Sequence, residues 1–372
     1  MGLNPRGSLG YGSSAAFQLQ TGPPPGSVIY PTPETLSNSL FNYQNVDYYP
    51  NDRPVSYYQE GLLSVQHEIP GQILFDVSYV FTKGTHQNFA RDVNQVPESE
   101  LQSNGVNNAA QPFPQFNSIQ GHLFDGYSNY NALQLRAEKR LTHGVSFVVN
   151  YAWSMTMDAG TSSGHLAGVD VWQNAYSVSS NYGLSQLDTR NTLNGSATYE
   201  LPFGKGRQFA MNGVMNEIAG GWRLTGIFQV HSGIPYTPTI GSADLSGSGA
   251  NQCSCGFAWL PNQVGSASVP NRSITEWFNP AAFATPASGT FGDERRNDLI
   301  GPAWRDLDLS LGKTFELVEG VHLEIRADSF DILNHPNFAQ PNGSVGAGVA
   351  GGGEITSANT SRQIQLGGRV SF

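Results

Sequence analysis

Apolar and polar side chains alternate residue by residue in one segment after another of this chain. The C-terminal segment RQIQLGGRVSF shows the pattern clearly: Ile364, Leu366, Gly368, Val370 and Phe372 form one series, and polar or small residues form the other. Because successive side chains of a β-strand point to opposite faces, the pattern predicts strands with one apolar and one polar face. Chain ends usually fray in solvent, but here the last residue lies inside the pattern. We expect an all-β fold.

The same alternation predicts about nine strands, each close to the length of about 10 residues that crosses a bilayer at a tilt. The other segments are LLSVQHEIPGQILFDVSYVF, which reads as a hairpin turning at Pro70-Gly71, NALQLRAEKRL, VSFVVNYAWSM, TLNGSATYEL, WRLTGIFQVH, RDLDLSLGKTF and VHLEIRADSF. Their polar faces carry Arg, Glu and Asp, which the core of a two-sheet sandwich could not hold unpaired. The wet lumen of a large barrel can hold them. The fold we expect is an antiparallel transmembrane β-barrel.

Charge and composition exclude several classes of protein. Charged residues make up 13% of the chain and the formal net charge is −10, whereas a nucleic-acid binder normally carries a basic face. No segment approaches the roughly 18 uninterrupted apolar residues of a spanning helix. The N-terminal MGLNPRGSLGYGSSAAF lacks the apolar core of a signal peptide. We therefore expect no nucleic-acid partner and no helical membrane span.

Short and long connections between the predicted strands alternate. The short ones are 70–72, 142–144 and 316–320, with 202–220 somewhat longer, and the long ones are roughly 83–129, 155–189, 233–303 and 334–361. Outer-membrane barrels have short periplasmic turns and long extracellular loops. The alternation therefore predicts this orientation, with the last strand running from outside to periplasm. The expected location is the cell outer membrane, with its lipid as a partner.

Motifs that could carry catalysis lack the context that each would need. GTSSG at 160–164 matches a nucleophile elbow, which requires a strand leading into a helix, whereas here a strand leads into a Gly/Ser loop. GAGVAG at 346–351 matches a dinucleotide fingerprint, but no helix follows. The eight histidines show no zinc-ligand spacing. We expect no enzyme activity, no cofactor and no metal.

Charged residues of the last predicted strands form one further candidate cluster. Paired acids could hydrolyse a glycoside only in a sugar cleft and at a suitable separation. We interpret the cluster instead as a charge network that lines a lumen. Its members are Asp306, Asp308, Glu324 and Asp328, with Arg305 and Arg326.

The two cysteines, Cys253 and Cys255, lie together in the longest predicted loop, in NQCSCGF. The route to the outer membrane is oxidising, so a small disulfide between them is one candidate. A metal site is the other, and it would need further ligands from elsewhere in the chain.

Several longer stretches resemble the C-terminal half of Oar-like TonB-dependent outer-membrane receptors, whose N-terminal region carries a carboxypeptidase-regulatory-like domain. They occur in the family's order and span most of the chain from about residue 54 to 372. The stretches are SNYNALQLRAEKRLTHGVSFVVNYAWS, ELPFGKGRQF, GGWRLTGIFQVHSGIPYT, WFNPAAFATP, RDLDLSLGKTF, RADSFDILNHPNFAQPN and RQIQLGGRVSF.

The resemblance implies a barrel of about 22 strands with a plug domain and energy coupling to the TonB system. It also implies that the terminal strand is the signal read by the barrel-assembly machinery, through Ile364, Leu366, Gly368, Val370 and Phe372. About nine to ten strands are only part of such a barrel. We therefore expect a receptor or transporter fragment that begins at an internal Met and lacks its plug, and that contacts TonB only through the missing region.

The predicted domains are a partial extracellular loop or irregular region at 1–53 and the C-terminal part of the barrel at 54–372. The expected function is uptake of a ligand captured by the long loops, and nothing in the sequence identifies that ligand. The alternative is a soluble secreted all-β binding or adhesin module, which should instead bury charge-free faces and end in a polar tail. A soluble all-β enzyme would need convergent catalytic groups, which we do not find.

Overall fold

The computed structural model of the chain describes residues 11–13, 44–159, 173–241, 244–250 and 259–372. Within these ranges the fold is all-β and mostly antiparallel. No helix among them is long and apolar enough to cross a membrane. The largest element is a single sheet in which strands that follow one another along the chain pair side by side.

The long strands of this sheet pair in the order β3-β4-β5-β6-β8-β9-β14-β15-β16. Their bounds are Tyr57–Ile69 (β3), Ile73–Asp92 (β4), Phe116–Thr142 (β5), Val145–Asp158 (β6), Asn191–Glu200 (β8), Trp222–His231 (β9), Trp304–Val318 (β14), Val321–Phe330 (β15) and Gln363–Ser371 (β16). The remaining elements are short: β1 (Tyr11–Ser13), β2 (Gln44–Tyr48), β7 (Gly183–Leu184), β10 (Pro235–Tyr236), β11 (Asn262–Gln263), β12 (Phe283–Ala284), β13 (Leu299–Ile300) and helix α1 (Val214–Ala219). The predicted segment VHLEIRADSF coincides with β15.

Connection lengths sort the sheet into two ends, which we call the turn end and the loop end. At the turn end the connections are 70–72, 143–144, 201–221 and 319–320. Two of these are tight because Gly71 and Gly144 take positive φ angles of 95° and 78°, which glycine adopts without a Cβ penalty. At the loop end the connections are L1 (93–115), L2 (159–190), L3 (232–303) and L4 (331–362). The alternation expected from the sequence is confirmed.

The first predicted loop is shorter than expected, because β4 continues to Asp92 and β5 begins at Phe116. Strand β5 has 27 residues, so it is about 90 Å long at about 3.4 Å per residue. At the loop end it extends past Asp158, the last residue of β6. At its far end β5 also pairs in parallel with β2. A small core of Val46, Phe116 and Ile119 lies at this point.

The sheet is not closed. Among the residues that the structure describes, β3 pairs only with β4, and β16 pairs only with β15. All residues of β16 and nearly all of β3 are exposed, as expected for strands with one free edge. The prediction of an antiparallel β-sheet is confirmed, whereas closure into a barrel is not seen among the described residues.

One face of the sheet is apolar and the other is polar, in the register that the alternation predicts. Leu135 pairs with Tyr151 and Val77, and Tyr151 pairs with Leu193 on the next strand. Large apolar side chains are exposed on this face across the whole sheet. Examples are Leu63 at 70%, Val65 at 66%, Trp153 at 56% and Leu366 at 79% exposure. A water-facing sheet would not leave so many exposed.

Candidate functional site

A row of polar side chains crosses the polar face in a single register. From β3 to β14 the paired residues are Gln66, Asp76, Arg136, Asn150, Asn194, Gln229 and Asp306. The Asp76 carboxylate accepts hydrogen bonds from Gln66 at 2.5 Å and from Ser64 at 2.9 Å. The Asn150 amide donates to Asn194 at 3.3 Å. Four of these groups are therefore joined in pairs by hydrogen bonds within the row, Gln66 with Asp76 and Asn150 with Asn194.

The second half of the polar face carries the charge network expected from the sequence, with one correction. Arg326 forms an ion pair with Asp328 at 2.8 Å. Arg305 was placed in this network, but it pairs with Val230 and shares the face of Leu307. The assignment was wrong because Arg305 is one residue out of phase with Asp306, which reverses its face. Concave spaces of about 570 and about 620 Å³ open on the two halves of the polar face.

The described parts of loops L1 to L4 pack together into a single unit at the loop end, which we call the cap. Its core contains the buried side chains of Ile240, Ala250, Trp259, Phe278, Ala282, Phe283, Leu299 and Val345. Backbone hydrogen bonds join L3 to L4, from Thr239 to the Gly343 carbonyl at 2.9 Å and from Val345 to the Thr239 carbonyl at 2.8 Å. The loops therefore form a packed structure at the loop end of the sheet.

Two buried glutamines join L1, L2 and L3. The Gln173 side chain donates to the Gly292 carbonyl at 2.8 Å and accepts from the Leu260 amide at 3.0 Å. The Gln95 side chain donates to the Gln173 carbonyl at 2.7 Å and accepts from the Ala175 amide at 2.6 Å. Buried amide side chains that meet most of their hydrogen-bonding capacity fix the position of the segments they join.

An ion pair between Arg296 of L3 and Asp158 at the end of β6 is almost completely buried, with side-chain exposures of 2% and 5%. Arg296 also donates to the Asn181 carbonyl at 3.0 Å. Gly183 lies so close that a Cβ there would stand 2.9 Å from the Arg296 carbonyl oxygen. This pair anchors the cap to the sheet.

A small cleft of about 280 Å³ opens inside the cap. Arg272 stacks over the Trp277 ring at 5.4 Å on its wall, and Asp298 also lines it. The Tyr236 hydroxyl has no hydrogen-bond partner in the described part of the chain, and burial raises the pKa of this phenol.

One acid of the cap is buried and has a raised pKa. Glu294 is 5% exposed, and no side chain among the described residues forms a hydrogen bond with its carboxylate oxygens. Burial raises its pKa from 4.5 to about 7, and the nearby Asp298 adds to the effect. Within the described ranges, acids, histidines and cysteines form no group of three that could hold a metal ion.

The sequence matches the model of the outer membrane beta barrel domain over residues 4–365. The chain belongs to this family. It is therefore an outer-membrane protein, whose apolar sheet face contacts lipid. A soluble secreted module, the alternative considered from the sequence, does not fit this location.

Several solved structures are similar to the chain at low identity. The outer membrane transporter YddB from Escherichia coli is 10% identical with a TM-score of 0.45, covering 89% of this chain and 34% of its own. The ferripyoverdine receptor of Pseudomonas aeruginosa is 8% identical with a TM-score of 0.41, covering 85% and 27%. The FrpB iron transporter from Neisseria meningitidis is 8% identical with a TM-score of 0.41, covering 87% and 32%. The chain thus spans about a third or less of these proteins. No curated protein matches it.

The residues singled out from the sequence of this outer-membrane domain are distributed as follows. Ile364, Leu366, Gly368 and Val370 share the apolar face of β16 at the free edge of the sheet, and Phe372 directly follows the last residue of this strand. GAGVAG lies in L4, as expected. GTSSG, Cys253 and Cys255 lie outside the described residues, and the disulfide stays a prediction. So does the domain division at residue 53.

Sequence reasoning missed the residues that hold the cap together, chiefly Gln95, Gln173 and Arg296. Each lies in a segment without alternation and was treated as loop. Their partners are distant along the chain, up to 138 residues for Arg296 and Asp158, and no local pattern signals such contacts.

Proposed function

We propose that the chain forms part of the wall and the ligand-capturing loops of an Oar-like TonB-dependent outer-membrane receptor that takes up a ligand. The observation that carries the proposal is the open antiparallel sheet, with an apolar lipid-facing side and a packed cap at one end only. A wall with two free edges needs further strands to satisfy its backbone in lipid. The remainder of a barrel of about 22 strands would supply them.

In this proposal the loop end is extracellular and the turn end periplasmic. The polar face lines the lumen and meets the plug, and the cap receives the ligand. No residue acts as a catalyst. TonB contacts reach the receptor through a region outside this chain.

Cross-linking tests whether the sheet is part of a wall or closes on itself. Leu63 of β3 and Leu366 of β16 lie on the same face at the two free edges. In a chain carrying Cys253→Ser and Cys255→Ser, cysteines at these two positions should not form a disulfide in the membrane. The control pair, at Leu323 and Val370, is directly opposed on β15 and β16 and should cross-link. A β3–β16 disulfide, at Leu63 or a neighbouring position on its face, would show a small closed barrel and refute the partial wall.

We also propose that the terminal series Ile364 to Phe372 is read during barrel assembly. Phe372→Ala should lower the amount of membrane-inserted protein several-fold, whereas Ser371→Ala, on the opposite face of β16, should leave it near wild type. Immunoblots of outer-membrane fractions measure this, with transcript level as control. Equal insertion of both variants would contradict the assignment.

A further inference from the structure

The connection 201–221, which we call the elbow, is far longer than its neighbours at the turn end. The connections 143–144 and 319–320 join their strands with two residues each. A hairpin between β8 and β9 needs no more than that. The elbow instead contains helix α1 and a stacked pair of rings, Phe203 and Phe209, whose centroids are 5.5 Å apart. These additional residues form a defined structure.

Side chains of the apolar face hold α1 against the sheet. Trp222 of β9 and Lys313 of β14 are direct partners in the register, on the face that meets lipid. The Trp222 indole donates to the Ile218 carbonyl at 2.9 Å, and the Lys313 ammonium donates to the Glu217 carbonyl. The last turn of α1 therefore lies on the lipid side of the sheet rather than below the lumen.

Lys313 would be costly at a lipid-facing position if its charge had no partner. It is 5% exposed, and its ammonium lies 4.5 Å from the Phe315 ring centroid and 5.9 Å from that of Trp222. Cation–π contacts and the helix carbonyl thus take the place of water around the charge. The arrangement covers the lysine and keeps α1 close to the sheet.

The opposite side of α1 is apolar and uncovered. Val214 is 74% exposed, Met215 58% and Ile218 61%, at spacings that place them on one helix face. Asn216 points back into the elbow, where its side-chain oxygen accepts from the Lys205 amide at 2.7 Å. While such side chains stay exposed to water, the protein does not gain the burial free energy of about 25 cal/mol per Å² of apolar area.

We propose that the elbow is an interfacial anchor, which inserts Val214, Met215 and Ile218 into the boundary between headgroups and acyl chains of the leaflet at the turn end. The occupant is lipid because this apolar surface continues the lipid-facing side of the sheet through Trp222. Short amphipathic segments at this depth bind by burying one apolar face. The inference depends on the outer-membrane location and not on transport, so loss of ligand uptake would leave it intact.

Spin labels test the anchor. The full chain, with Cys253→Ser and Cys255→Ser, carries a nitroxide on Met215→Cys or Ile218→Cys and is reconstituted in vesicles of phosphatidylethanolamine and phosphatidylglycerol. Power saturation measures collisions with oxygen, which concentrates in lipid, and with a water-soluble nickel complex. The lipid reference is Leu311→Cys on the apolar face, and the water reference is Val264→Cys in the cap, 64% exposed.

Labels on Met215 and Ile218 should show a ratio of oxygen to nickel collisions several-fold above that of Val264→Cys and close to that of Leu311→Cys. Nickel access equal to that of Val264→Cys would place α1 in water and overturn the proposal. Protection from both reagents would show a protein partner on α1 and would overturn it equally.

Discussion

Replacing Arg296 by Met should loosen the cap at its attachment to β6. The substitution keeps most of the side-chain volume but removes the guanidinium from Asp158 and the donor from the Asn181 carbonyl. Breaking a buried ion pair by removing one partner costs about 3–5 kcal/mol, because the other charge stays buried. At about 1.4 kcal/mol per factor of ten, local opening of the cap should become more than about 100-fold more frequent.

Hydrogen exchange measured by mass spectrometry reports this opening directly. Peptides covering 177–188 and 294–300 should lose protection, since amides there bond across the attachment, such as Ser185 to the Thr156 carbonyl at 2.9 Å. Peptides from β14 and β15 should not change. The control is Arg295→Met, since Arg295 is the exposed neighbour of Arg296.

A double variant separates two effects: the loss of the attraction between Arg296 and Asp158, and the cost of keeping the Asp158 charge buried without the Arg296 guanidinium. Asp158→Asn combined with Arg296→Met removes both charges, so it should recover part of the protection that Arg296→Met loses. The reasoning is refuted if Arg296→Met exchanges no faster than Arg295→Met. It is also refuted if the double variant is no better protected than the single one.

Two further predictions concern the cap and the sheet. Because the pKa of Glu294 is raised to about 7 in the folded protein, cap stability should fall as pH rises from about 4.5 to about 7. Glu294→Gln should remove this dependence and leave the cap better protected than in wild type above that range, measured by exchange against pH; parallel profiles for variant and wild type would disprove it. Ala197→Arg, on the lipid face in the middle of β8, should cost about 2–4 kcal/mol. Ser196→Arg, on the polar face, should cost far less in a denaturant titration in lipid, and equal costs would contradict the assignment of faces.

The two ends of the molecule differ in how well the sequence predicts them. A strand that separates lipid from water must alternate, so segments such as VHLEIRADSF are visible by inspection. The outer parts of β4 and β5 lie beyond that constraint, and TKGTHQNFARD carries no alternation although its backbone pairs with β5 along most of its length, with register shifts at His86 and Asn88. The structure of the cap is even harder to predict from the sequence, because it depends on contacts such as that of Gln173 with Gly292, which are 119 residues apart.

This contrast in sequence separation has a kinetic consequence. The hairpins β3–β4, β5–β6 and β14–β15 are joined by only two or three residues, so they can close early with little loop entropy to overcome. The cap requires all four loops to be present, and Gln95 must find Gln173 across 78 residues. The sheet should therefore form first and the cap consolidate on it afterwards. Cap variants such as Arg296→Met should accordingly reach the membrane at the wild-type rate and differ only in the finished protein.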